Sequence, residues 1–257
     1  MNDQPRHDRD SDTQPFLALV PNMVTMIGLC AGLTAIRFVL AGNFEMAVGL
    51  IIFSAVIDGL DGLLARRLKA TSDIGAQLDS LSDFLNFGVA PGLLVYQFAL
   101  ANSERMGSWV VVLLYASCTC LRLARFNVAQ NQAVTTGIKP PAHFVGVPAP
   151  AGAMMALMPV FLAFETELDP AKYPFLTGFY LGVVGLLMVS RLPTFSPKSL
   201  RVPKERTSLI LIALALIIGV LLTRFWLSLI LLGLIYILSL IFSFYKVLAA
   251  RRRGPAD

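Results

Sequence analysis

The sequence predicts an all-α, polytopic membrane bundle, and three observations carry that prediction. Only 14% of the 257 residues are charged, where a soluble domain of ordinary composition has about 25%. The mean hydropathy is +0.71. The charges are clustered, and several apolar stretches between them reach the roughly 20 residues that a helix needs to cross a bilayer's hydrocarbon core. Open sheet edges are not viable in lipid, so these stretches read as helices.

About eight transmembrane helices are predicted, over 17–40, 44–65, 76–100, 108–126, 144–164, 173–190, 207–223 and 225–246. Charged or Pro-rich connectors such as RRLKATSD and RLPTFSPKSLRVPKER separate them. The domain reading is a polar, disordered cytosolic tail over 1–15, one membrane domain over 16–248, and a basic cytosolic tail over 249–257. The first 15 residues have no apolar core beside a cleavage site, so they do not resemble a signal peptide.

The basic residues set an orientation. With the N-terminus in the cytosol, 21 Lys and Arg side chains divide so that only Arg37, Arg105, Lys172 and Arg224 fall at or beyond the outer side. The acidic connector ETELD also falls there. By the positive-inside rule both termini are cytosolic. A net charge of +5 therefore speaks of topology and anionic lipid headgroups rather than of nucleic acid. Cys30, Cys118 and Cys120 lie in apolar segments and read as packing residues.

The chemistry concentrates in DGLDGLLARRLKATSDIGAQLDSLSD, residues 58–83. Asp58 and Asp61 are three apart near the cytosolic end of the second span, and Asp79 and Asp83 are four apart near the start of the third. On helices each pair shares a face, and antiparallel neighbours bring the two pairs to one depth. An Asp at the centre of a membrane helix costs about 2.5–3.5 kcal/mol, and crowding four adds repulsion. A hard divalent cation held by oxygen ligands resolves both costs. Magnesium or manganese suits this donor set; zinc does not, because no His or Cys lies nearby. Taken singly, Asp58 or Asp83 also reads as a helix-end charge reaching water. Gly62, Ala65 and Gly75 keep the helix faces open for a bulky headgroup.

This stretch resembles the signature of the CDP-alcohol phosphotransferase family, D-x2-D-G-x2-A-R-x8-G-x3-D-x3-D. Asp58, Asp61, Gly62, Ala65, Arg66, Gly75, Asp79 and Asp83 fill every fixed position at the required spacing. The resemblance implies the fold of that family and a homodimer. It further implies that Asp58, Asp61 and Asp79 hold metal ions, with Asp83 near the metal and acting as general base. Gly62, Arg66 and Ser72 would contact the CDP-lipid, with Ala65 and Gly75 beside it. PNMVT at 21–25 resembles the family's nucleotide-contacting segment and suggests Asn22 and Thr25; as a plain reading, Pro21-Asn22 is a helix-entry turn.

Further blocks resemble the serine-using branch of the family: LDSLSDFLNFGVAPG at 78–92, CLRLARFNV at 120–128, FVGVPAPAGA at 144–153 and SRLPTFSPKSL at 190–200. They imply CDP-diacylglycerol and L-serine as substrates, in the inner membrane of a prokaryote. Asn86 stands where Ser is frequent and Val147 where Leu is common. Serine is a zwitterion whose carboxylate calls for a planar cation. Arg122 and Arg125, three apart and followed by Asn127, are candidates, with Asn86 nearby in sequence to Asp83; both arginines read equally as topology anchors. A sister enzyme using glycerol 3-phosphate, inositol or choline is the nearest alternative. A cation transporter would place carboxylates in two halves near the midplane, whereas here they cluster at one interface in one half. The last two spans, almost purely apolar, read as scaffold or as a lipid-facing or dimer surface.

Overall fold

The computed structural model describes residues 16–68, 73–101, 107–136, 144–190, 193–194, 219–220 and 223–252. The first hairpin joins α1 (Phe16–Leu40) to α2 (Phe44–Leu68). Its turn is written in the sequence: Gly42 takes a positive φ of 76°, a conformation that glycine adopts without steric cost. Asn43 then begins α2, its Oδ1 accepting from the Met46 N–H at 3.2 Å in the manner of an N-cap. Pro21 lies inside α1, so the expected helix-entry turn at Pro21-Asn22 is not where the helix starts; it begins five residues earlier.

The segment expected as a single span over 76–100 is helical throughout but changes geometry along its length. It runs as α3 (Asp73–Asp83), a π-helical turn (Phe84–Val89), α4 (Ala90–Val95) and a second π-helical turn (Tyr96–Leu100). Pro91 explains much of the first change. It has no N–H to donate, and in an α-helix its partner would be the Phe87 carbonyl. That carbonyl instead accepts from the Tyr115 hydroxyl at 2.7 Å, supplied by α5 (Gly107–Thr136). Tyr115 is fully buried.

A short strand β1 (Phe144–Val145) precedes α6 (Ala149–Ala156) and α7 (Met158–Glu165), which are separated at Leu157 ahead of Pro159. Helix α8 (Pro174–Val189) leads into strand β2 (Pro193–Thr194). The two strands pair antiparallel, Phe144 opposite Thr194 and Val145 opposite Pro193. They are a two-residue-deep exception to the all-α expectation. Gly146 follows with φ 84°; a Cβ there would stand 2.6 Å from the Met188 carbonyl oxygen, so only glycine lets the chain cross α8 this closely. Helix α8 lays Gly178, Gly182 and Gly185 against Val111, Leu114, Tyr115 and Cys118 of α5, the close approach that small residues permit between membrane helices.

The last helix, α9 (Phe225–Arg252), packs against α7, α6 and β2 and continues past residue 248, where the membrane domain was expected to end. At the end of α2 far from the aspartates, Phe44, Phe98, Phe164 and Trp226 form a chain of rings with centroids 5.0, 5.8 and 4.6 Å apart. Arg224 meets Glu165 there at 3.6 Å.

Among the described residues, four helical stretches are long and apolar enough to cross a membrane: Leu19–Leu40, Phe44–Leu64, Gly107–Gln130 and Phe225–Tyr245. Large apolar side chains stand exposed on each of them, as a surface in contact with lipid requires. The chain is an integral membrane protein. Of the other four expected spans, 173–190 corresponds to the shorter helix α8, 76–100 and 144–164 are composite, and almost all of 207–223 lies outside the described residues. Eight separate spanning helices are thus not established. The expected tail over 1–15 also lies outside the described residues.

Candidate active site

Helices α2 and α3 bring their aspartates together as the spacing foretold. One carboxylate oxygen from each of Asp58, Asp61 and Asp79 lies within 4.8 Å of the others. Asp61 is the most enclosed, at 5% exposure. Helix α1, packed against both α2 and α3, contributes Thr25, whose hydroxyl donates to Asp61 Oδ2 at 2.8 Å. The same hydroxyl lies 3.1 Å from the Pro21 carbonyl oxygen, and the charged acceptor offers the shorter, stronger contact. Thr25 was expected on the nucleotide; its hydroxyl here steadies a member of the cluster. Asp83 stands beside the triad rather than within it, its carboxylate within hydrogen-bonding reach of Asp58.

Arg122 of α5 is half-buried, and its charge lies within range of both Asp83 and Asp58. Arg125 goes elsewhere. It is exposed, and its Nη1 donates to the Val189 carbonyl at 2.9 Å, closing the C-terminus of α8, where helix carbonyls have no partners of their own. Asn127 pairs with Ser80 of α3, its Nδ2 donating to Ser80 Oγ at 2.8 Å. The site residues grouped as a tentative acceptor pocket therefore separate: Arg122 faces the carboxylates, while Arg125 and Asn127 bind neighbouring helices together.

Asn86 also turns away from the expected pocket. It lies in the first π-helical turn, 2% exposed, with Nδ2 donating to Ser82 Oγ at 3.1 Å. Its Oδ1 is buried without a partner and presses on α1, where a Cβ added to Gly32 would collide with it. Among the remaining expected lipid contacts, Asn22 is half-buried on α1, Gly62 adjoins Asp61, and Gly75 sits one turn before Asp79 on α3. Ala65 and Arg66 continue α2 beyond the aspartates; Ser72 lies outside the described residues.

Sequence reasoning missed Tyr236. Helix α9 brings this residue within range of the Arg122 charge. The available signal was one phenol in the middle of a stretch of Leu and Ile; its register against Arg122 was not readable.

The donor set fits a hard divalent cation. Three carboxylates converge from two helices, all-oxygen, with no His or Cys in the group, which is the ligand chemistry of magnesium or manganese. The aspartate cluster can hold such an ion.

Residues 18–192 match the model of a protein family described as CDP-alcohol phosphatidyltransferase. The chain belongs to the CDP-alcohol phosphatidyltransferase family. Within it, this chain is 40% identical over 205 residues to the CDP-diacylglycerol–serine O-phosphatidyltransferase of Mycobacterium tuberculosis, covering 78% of this chain and 69% of that protein. It is 37% identical to the Helicobacter pylori protein of the same name, over 70% of this chain and 73% of the relative. The Bacillus subtilis protein of that name is 37% identical over 57% of this chain and 81% of the relative. Among solved structures, a phosphatidylinositol phosphate synthase of Mycobacterium tuberculosis in complex with manganese and citrate aligns with a TM-score of 0.45 at 16% identity, over 68% of this chain and 78% of that one. So distant a likeness carries no functional weight. The family region, 18–192, contains all four aspartates, Thr25 and Arg122, and excludes Tyr236.

Proposed function

We propose that this chain transfers the phosphatidyl group of CDP-diacylglycerol to the hydroxyl of L-serine, giving phosphatidylserine and CMP. The observation that carries the reading is the shared name of the relatives, which are 36–40% identical across much of the chain. The aspartate cluster supplies the chemistry that such a transfer needs.

In this reading Asp58, Asp61 and Asp79 hold one or more magnesium or manganese ions. Thr25 fixes the Asp61 carboxylate, so a ligand is already aimed before substrate arrives. Metal bound there would stabilise the charge on the reacting phosphates and on departing CMP. Asp83 accepts the proton of the serine hydroxyl as the oxygen attacks; a carboxylate within hydrogen-bond reach is the base an alcohol requires. The serine O–P bond forms, the P–O bond to CMP breaks, and CMP leaves with that electron pair. Transfer is direct in this reading, within one ternary complex. Gly62, Ala65, Arg66, Ser72, Gly75 and Asn22 are assigned to the CDP-lipid, and Arg122 to the serine carboxylate.

The lopsided distribution of Lys and Arg supports an active site at the cytosolic face, both termini inside, in the cytoplasmic membrane of a prokaryote. Both termini inside require an even number of spans, which the eight of this reading satisfy. A homodimer is assigned on family resemblance.

The test is an acceptor panel. Purified full-length protein receives CDP-diacylglycerol, divalent metal and radiolabelled serine, glycerol 3-phosphate, inositol or choline in turn. Label enters lipid with serine, with stoichiometric CMP. Incorporation of a different alcohol in preference to serine overturns the acceptor while leaving the family chemistry standing.

A further inference from the structure

We propose that the Tyr236 hydroxyl, presented by the last helix, donates to the carboxylate of the acceptor alongside Arg122, so that α9 selects an acid-bearing alcohol. This rests on the serine reading above and extends it to a part of the chain outside the family region.

Among the described residues, two buried polar side-chain atoms lack a hydrogen-bond partner: Asn86 Oδ1 and the Tyr236 hydroxyl. A buried tyrosine hydroxyl ordinarily finds a partner, because leaving one unpaired costs about 1–3 kcal/mol. The two orphans differ in surroundings. Asn86 Oδ1 faces the closed contact at Gly32, with no room for another molecule. Tyr236, packed by its ring against the core, lies within range of the Arg122 charge, as do Asp83 and Asp58. A planar cation and a phenol are both hydrogen-bond donors, and a small anion could accept from each. The carboxylate of an amino acid whose hydroxyl lies at Asp83 has that chemistry. Tyr236 lies beyond the shared family region at 18–192, so a role for it would be particular to this chain and its nearer relatives rather than general to the family.

The experiment uses the full-length chain in lipid nanodiscs, with rates expressed per mole of folded protein. KM for serine and KM for CDP-diacylglycerol are measured in the wild type, Tyr236→Phe, Arg122→Ala and the double variant. Leu238→Ala, a lipid-exposed position on the same helix, serves as control. Tyr236→Phe should raise the serine KM roughly ten- to a hundredfold, the loss of one hydrogen bond to a charged group. The CDP-diacylglycerol KM should stay within about twofold. The double variant should fall short of the product of the single effects, because both side chains hold one group. A serine KM in Tyr236→Phe within about twofold of wild type overturns the inference, as does a rise in both KM values together. If Tyr236→Phe does not accumulate, L-serinamide, which lacks the anion, is tested as a competitor of the wild type. It should inhibit at least about tenfold more weakly than serine binds; equal strength overturns the inference. A wild type that uses no serine at all removes the proposed function itself, a result distinct from an unchanged Tyr236→Phe in an enzyme that does.

Discussion

The Thr25 hydroxyl of α1 donates to the Asp61 carboxylate of α2 across 2.8 Å, and both residues are buried. That bond ties α1 to the aspartate cluster although it contributes no aspartate. Thr25→Val keeps the shape and removes the donor. Outer partners of metal ligands typically contribute 10–100-fold in metal affinity or activity, so the metal concentration for half-maximal turnover should rise by about that factor. Thr25→Ser should restore most of it. A metal titration of the three proteins decides; an unchanged midpoint in Thr25→Val means the bond only packs two helices.

Asp83 lies within hydrogen-bonding reach of Asp58 and within range of the Arg122 charge, outside the close triad. Asp83→Asn should still bind CDP-diacylglycerol but lose about 10²–10⁴-fold in kcat, the usual contribution of a general base. Retention of more than about a tenth of wild-type kcat would place the base elsewhere.

The two arginines give opposite expectations. Arg122→Ala should raise the serine KM roughly ten- to a hundredfold, and Arg122→Lys should recover only part of it, because an ammonium lacks the planar fork. Arg125→Ala removes the donor to the Val189 carbonyl; it should lower the yield of folded protein and leave the serine KM of the survivors normal. Kinetics on quantified folded protein separate the two, and identical behaviour of the variants contradicts the division.

Tyr115 is tied to a vacancy in the helix ladder. Tyr115→Phe leaves the Phe87 carbonyl, already without its α-helical partner because of Pro91, with no donor from α5. The cost should be about 1–3 kcal/mol, read as a lower thermal midpoint in detergent with both substrate KM values close to wild type. A midpoint equal to wild type shows that the carbonyl finds another donor.

Much of this site was legible because helix periodicity is a local property. Asp58 with Asp61 and Asp79 with Asp83 share faces by spacing alone, and the basic connector between them made an antiparallel meeting the simple solution. What spacing cannot supply is the identity of the third helix. Arg122 and Arg125 share a helix face, yet one turn along α5 exchanges a carboxylate neighbour for the end of α8. Asn86 sits three residues after Asp83, but the π-helical turn between them re-aims it toward Gly32. Tyr236 lies 153 residues beyond Asp83 in the chain, and only tertiary packing brings it to Arg122. The break expected between 40 and 44 coincides with the turn at Gly42 and Asn43, whereas the β1–β2 clasp, two residues on each side, is too short for any periodic signal.

The central claim is that Asp58, Asp61 and Asp79 form one divalent-metal centre on which transfer depends. It is tested most directly by titrating manganese into detergent-purified protein and following the free-ion electron paramagnetic resonance signal, with turnover measured on the same samples. The wild type should bind manganese and lose all turnover in excess EDTA, recovering when metal is returned. Asp58→Asn, Asp61→Asn and Asp79→Asn should each fold, bind manganese at least about tenfold more weakly, and turn over no substrate. Full wild-type turnover in excess EDTA, or undiminished manganese binding in all three variants, would contradict the account.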